Sequence, residues 1–163
     1  MMKRVLAILT LATVLHLTSL GDAFASCSLV ESQLLLKSDY VALIFGGTIA
    51  DTTPIEVKRE ATWESVSVDV ERVWKGNVAK RFVFFNRTSM AGDTGSIRPI
   101  PFQRGRRYVI FARRLSTLEK QEIGLSLERE AFGTGLCAGG SREYEDYERE
   151  SVGLGPGRLP NAK

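Results

Sequence analysis

A small, mainly β domain closed into a barrel is what this chain predicts, and three observations carry that expectation. Past residue 25 it holds several short runs rich in Val, Phe, Tyr and Ile, one of them alternating apolar and polar residues with a period of two. Stretches bearing glycine and proline punctuate those runs. Few segments carry the periodicity of a helix.

The first 25 residues read as an export signal. Lys3 and Arg4 supply a positive start, Val5 to Leu20 is an apolar run interrupted only by Thr, Ser and His16, and Ala23-Phe24-Ala25 offers small residues at the two positions a signal peptidase reads. The run is shorter than the roughly 20 residues that span a bilayer, so an uncleaved anchor is the lesser alternative. Cleavage after Ala25 leaves Ser26 first and Cys27 next. A lipid anchor at Cys27 is a second alternative: Ser26 suits it, but Phe24 stands where a lipoprotein signal places leucine. Export without an anchor, to a periplasmic or extracellular location, is the expectation, with no transmembrane span after cleavage.

Removing the signal removes His16, the chain's only histidine. The mature protein then has no imidazole, which excludes Ser-His-Asp and Cys-His catalysis and zinc sites built on histidine. About 138 residues remain, enough for one domain with a core. The formal net charge of +3 falls to about +2 when Lys3, Arg4 and Asp22 leave, too small a basic excess to imply nucleic acid.

The elements follow in order. Ser28 to Lys37 places Leu29/Val30 and Leu34 a turn apart, a short helix with one apolar stripe. Tyr40 to Ile49 is nearly all apolar and β-forming, a strand buried on both faces and kinked at Gly46-Gly47. The polar segment 51–60, with Pro54, reads as a loop or ragged edge. Thr62 to Val73 is the clearest strand, Val66, Val68 and Val70 alternating with Ser67, Asp69 and Glu71. Trp74 to Asn77 turns the chain into a strand from Arg81 to Phe85. Residues 86–106 form a long excursion, Arg107 to Arg114 a buried strand with charged ends, and Glu122 to Glu128 a fifth, alternating strand. After Cys137 come a glycine pair, the charged stretch 142–150 and a Gly/Pro-rich tail, so that residues 141–163 have the composition of a charged segment and disordered tail. Five short strands with one long connection match the five-stranded Greek-key OB-fold barrel, with a short N-terminal helix and an optional C-terminal one. A β-sandwich is the alternative, but it wants about seven strands.

In that order and spacing, the segments SDYVALIFGGTI (38–49), VSVDVERVWKG (66–76), FQRGRRYVIFA (102–112) and GTGLCAGG (133–140), with Cys27 at the mature start, give the chain a resemblance to a known family. Over residues 26–140 it resembles the netrin-like domain of the tissue inhibitors of metalloproteinases, in particular their small bacterial relatives. The resemblance implies an OB-type barrel with no catalytic residues, cofactor or metal of its own, acting on a protein partner, a protease among the candidates, through its N-terminal segment. On this chain that segment is Ser26, Cys27, Ser28 and Leu29. In the family a Cys-x-Cys start is tied down twice, and the first cysteine's free amine and carbonyl coordinate the target's zinc. Here Cys27 is followed by Leu29, and no cysteine lies between residues 28 and 136. If Cys137 keeps its family partner, Cys27 matches the second cysteine and Ala25 the first. Zinc chelation by the mature terminus is then not implied.

Cys27 and Cys137 are the only cysteines, and an oxidising compartment favours a disulfide between them over a lone redox thiol or lipid site. Closing so long a loop contributes up to roughly 4–5 kcal/mol in the chain-entropy model.

Other residues offer further readings. Asp93-Thr94-Gly95-Ser96 copies the aspartic-protease signature, but Ala91 and Gly92 stand where apolar residues normally precede it, and a chance match in a glycine-rich turn is the simpler account. Arg98, Arg104, Arg106 and Arg107, with Arg113 and Arg114 nearby, are candidates to bind an anionic glycan or polymer, against solvation or pairing with Glu143–Glu150. Trp63 and Trp74 invite stacking on a ligand or packing at strand ends. Asn86-Arg87-Thr88 is a glycosylation sequon in a eukaryotic host. The leading expectation is an exported, non-enzymatic binding domain. An anion-binding module is the alternative, and a hydrolase using Asp93 the remote one.

Overall fold

The computed structural model describes residues 32–57, 62–88, 101–134 and 153–162. Helix α1 (Ser32–Lys37) precedes strands β1 (Leu43–Ile55), β2 (Trp63–Lys75), β3 (Arg81–Arg87) and β4 (Arg107–Arg114), then helix α2 (Thr117–Glu122) and strand β5 (Phe132–Thr134). The strands close in the order β1-β2-β3-β5-β4, with β4 back against β1. Only the β3–β5 pair is parallel; β1–β2, β1–β4, β2–β3 and β4–β5 are antiparallel. This is the all-β, five-stranded OB-type barrel that the strand count predicts.

β1 makes the closure possible because it serves two neighbours. Leu43–Thr48 pairs with β4 while Ile44–Ile55 pairs with β2, with register shifts after Ile44, Gly46 and Ile49. Each shift bends the strand and tightens its twist. At Gly47 the bend brings β2 so close that a Cβ would lie 2.3 Å from the Asp69 carbonyl oxygen, which only glycine permits.

Alternation then sorts the side chains. Val66, Val68 and Val70 of β2 point into the barrel with Leu43, Phe45, Ile49, Phe84, Tyr108 and Ile110. Aromatic edges meet faces inside it, Phe45 with Phe82 at 5.4 Å between centroids and Phe102 at 5.1 Å from both Phe84 and Tyr108. A second cluster lies outside the sheet: Ile44, Val109 and Phe111 face Leu35 of α1, Val41 and Leu154. A strand with one face inward and the other under a helix is buried on both sides, hence the unbroken apolar runs of β1 and β4. A third cluster of Trp63, Leu115 and Ala131 caps one end, with Ile55, Ile123 and Leu125 against it.

Two expectations are corrected and one pair of alternatives is resolved. Glu122–Glu128 is not a strand: Thr117–Glu122 is helical, started by a capping box in which Ser116 and Glu119 satisfy each other's backbone N–H, and Gly124 at φ +72° ends the turn that follows. The real β5 is Phe132–Thr134, three residues and too short to show a period. Of the loop and the ragged edge read over 51–60, residues 51–55 are the edge: they form the second half of β1, paired with β2 through Ile55↔Trp63. Pro54 is tolerated because β4 leaves β1 at Thr48, so that half is an edge. The tail is not loose where it is described. Val73 and Arg158 exchange both backbone hydrogen bonds at 2.9 Å, and Asn161 bonds Val78 and Lys80. Of the optional C-terminal helix only Gly153 and Leu154 are described, and the charged stretch 142–150 lies outside the described residues.

Candidate functional site

Because β4 leaves β1 early, the far half of β1 is an edge paired with β2 alone, while β2 there also pairs with β3. A cleft of about 520 Å³ opens between that edge and the end of β3, lined by Pro54, Ile55, Glu56, Val57, Thr62, Trp63, Glu64 and Thr88. Its base is rigid. Trp63 is 1% exposed, the Arg87 guanidinium sits 5.4 Å from the centre of its ring, and Arg87 pairs with Glu122 at 3.5 Å. This arrangement fastens the start of β2 to the end of α2.

A buried polar chain runs inward from the cleft. Asn86 donates to Glu64 Oε1 at 2.7 Å, and Thr134 donates to Asn86 Oδ1 at 2.7 Å. Asn86 and Thr134 are each 4% exposed, the only buried polar side chains among the described residues. Burial pushes the Glu64 carboxyl above its usual range, opposed by the hydrogen bond from Asn86. Asn86 shares the inward face of β3 with Phe82 and Phe84, so the period of two along RFVFFNR already marks it as a core asparagine needing partners. Glu64 and Thr134 carry no such signal, since their meeting depends on the β3–β5 seam. The sequon asparagine is thus engaged inside the fold and closed to glycosylation in the folded protein.

The arginine-rich strand is largely neutralised. Arg107 meets Glu71 at 2.6 Å, and Thr48 donates to the same carboxylate at 2.9 Å. Arg113 grips both oxygens of Glu119, and Arg114 meets Glu130 at 2.7 Å. The hydrogen bonds from Arg113 and Ser116, with the Arg113 charge, outweigh burial and hold the Glu119 carboxyl down at about 2. Arg104 and Arg106 stay exposed, flanking Gly105 in the turn before β4. Arg104 borders a second cleft, of about 650 Å³, with Ala50, Asp51, Ser67, Asp69 and Arg81, where Arg81 is paired with Asp69 at 2.9 Å.

The remaining candidates divide as follows. Trp63 is core, and Trp74 is half-buried with its indole N–H on the Gly155 carbonyl at 2.8 Å, so packing rather than ligand stacking accounts for both. Arg98, Asp93–Ser96, the segment Ser26–Leu29, Cys27 and Cys137 lie outside the described residues. Among the described residues no three His, Cys, Asp or Glu side chains gather as a metal site, and no helix is long and apolar enough to cross a membrane. No known family model matches the sequence, and no curated protein matches it.

Proposed function

We propose that this chain is an exported, non-enzymatic binding domain that engages a protein partner, in the manner of the netrin-like inhibitors, at the barrel end carrying the Trp63 cleft. The observation that carries the reading is the Thr134–Asn86–Glu64 chain, which ties the end of β5 to the cleft wall. Cys137 follows Thr134 by three residues, a reach of about 10 Å at most. A disulfide from Cys27 to Cys137 would therefore keep Ser26, Ser28 and Leu29 at this same end. An open cleft with Pro54, Ile55 and Val57 on one side and the carboxylates of Glu56 and Glu64 on its rim suits an extended chain with apolar and basic side chains.

The test is capture of envelope or secreted proteins by the mature chain. Deleting residues 26–29, or substituting Pro54→Arg and Glu56→Arg on the exposed rim, should abolish capture while the barrel stays folded. Unchanged partners after both changes would sink the reading. Intact mass with and without reductant reports the cleavage site, any lipid and the disulfide together.

A narrower second reading rests on Arg104 and Arg106, which are exposed on either side of Gly105. There the turn binds an anionic polysaccharide, and Arg104→Ala with Arg106→Ala should remove binding. Binding that persists unaltered at about 0.5 M salt would count against it, because screening weakens exposed charge pairs.

A further inference from the structure

Segment 153–162 crosses the outside of the barrel and touches both α1 and the β2–β3 turn. Its backbone fills the edge that β2 exposes after parting from β3: Val73 and Arg158 bond each other in both directions, Asn161 N–H reaches the Val78 carbonyl at 3.0 Å, and Lys80 N–H reaches the Asn161 carbonyl at 3.1 Å. Trp74 and Arg72 donate to the carbonyls of Gly155 and Pro156 at 2.8 and 2.7 Å. Gly157, at φ +62°, lies so flat on the indole that a Cβ would come within 3.0 Å of Trp74 Nε1.

One apolar side chain anchors the segment. Leu154 is 7% exposed and closes the outer cluster against Leu35, Val41, Ile44, Val109 and Phe111. Gln33 of α1 donates to the Gly153 carbonyl, and Lys75 Nζ binds the Ser38 carbonyl just past α1 at 2.5 Å. The six residues of α1 are too few for a helix to persist in water without tertiary contacts. The barrel interior is a separate cluster, and neither Leu154 nor any residue of α1 belongs to it.

We propose that segment 153–162 is a latch on α1. Docked, it fixes the helix against the outer face of β1 and β4. Released, it uncovers Leu35, Ile44 and Phe111 and lets α1 leave, while the barrel stays closed on its own core. Locally opening units of this kind have few apolar contacts and mostly surface hydrogen bonds, which describes this segment. Resting on the partner-binding reading above, the consequence is regulatory: α1 holds its place on the barrel only while the latch is docked.

Hydrogen exchange on the protein alone tests the latch without any partner, so its outcome is separate from the fate of the binding reading. Removing residues 153–163 should cost the amides of residues 35–38 at least about tenfold in protection, while Ala42, which donates to the Ala112 carbonyl in the β1–β4 seam, and Val109–Phe111 retain theirs. Trp74 emission should shift to the red. In the full chain, Leu154→Ala and Gly157→Val should give graded versions of the same pattern, which covers the case of a truncated chain that does not fold. Unchanged α1 protection in these variants overturns the proposal, and so does equal loss in α1 and β4, which would make the segment part of the global fold.

Discussion

Thr134 and Asn86 meet across the one parallel seam of the barrel, the threonine hydroxyl donating to the asparagine side-chain oxygen at 2.7 Å. The same asparagine donates onward to Glu64. The seam is short, with only Phe85↔Gly133 and Asn86↔Thr134 in register, so side-chain bonds carry an unusual share of its pairing.

Asn86→Ala should therefore destabilise the barrel by about 2 kcal/mol, because it strands Thr134 and Glu64 as well as removing two bonds. Thr134→Val, which keeps the shape and loses one donor, should cost about 1 kcal/mol. Urea titrations of the variants measure both, and equal, negligible losses would show that the chain is not structural.

Glu119 shapes the acid limb of stability. Its carboxyl is held at about 2 in the folded state, below the usual value of 4.5. The stabilisation is complete above the unfolded value and disappears as pH falls through the folded one. Urea midpoints should drop between those limits, and Glu119→Gln should flatten that part of the profile. An unchanged acid limb in the variant would exclude this assignment.

Glu64 has the opposite sign. Burial raises its pKa, so the folded state binds its proton more readily than the unfolded chain, and ionisation costs stability as pH rises past 4.5. Glu64→Gln keeps an acceptor for Asn86 without the charge. It should leave the protein at least as stable at neutral pH and remove the decline above 4.5, which denaturation across pH would reveal.

Two glycines separate crowding from backbone strain. Gly47→Ala drives a Cβ to 2.3 Å from the Asp69 carbonyl oxygen and should cost about 3 kcal/mol or more. Gly105 has open space for a Cβ but sits at φ +80°, so Gly105→Ala should cost only about 1 kcal/mol. Thermal or urea unfolding ranks them, and the reverse order would contradict the bend assigned to β1.

Much of the barrel was legible because its signals are local. Val66, Val68 and Val70 alternate within one strand, Gly46-Gly47 interrupts an apolar run, and Gly76 follows Trp74-Lys75 at the turn. The misplaced fifth strand shows where locality misleads. Alternation in EIGLSLE mimics a strand, while the Ser116–Glu119 capping box argues for a helix a few residues earlier. Of the candidate site, Trp63 could be read in advance as an aromatic at a strand end, and Asn86 as an inward polar position in an aromatic strand.

The period of two, the turn glycines and the apolar runs are properties of neighbouring residues, and they suffice for an all-β chain with its strands nearly in place. Closure is different, since β5 gains its position only between β3 and β4, where Gly133 leaves room for Leu115 and the Phe85 carbonyl. Charge follows the same division. Six arginines between residues 98 and 114 suggest a cationic stripe, yet Arg113 meets Glu119 close by in sequence, and Arg107 and Arg114 meet Glu71 and Glu130 brought from farther off in the chain. Pairing energies fall steeply with distance, and distance between remote residues exists only once the barrel has closed.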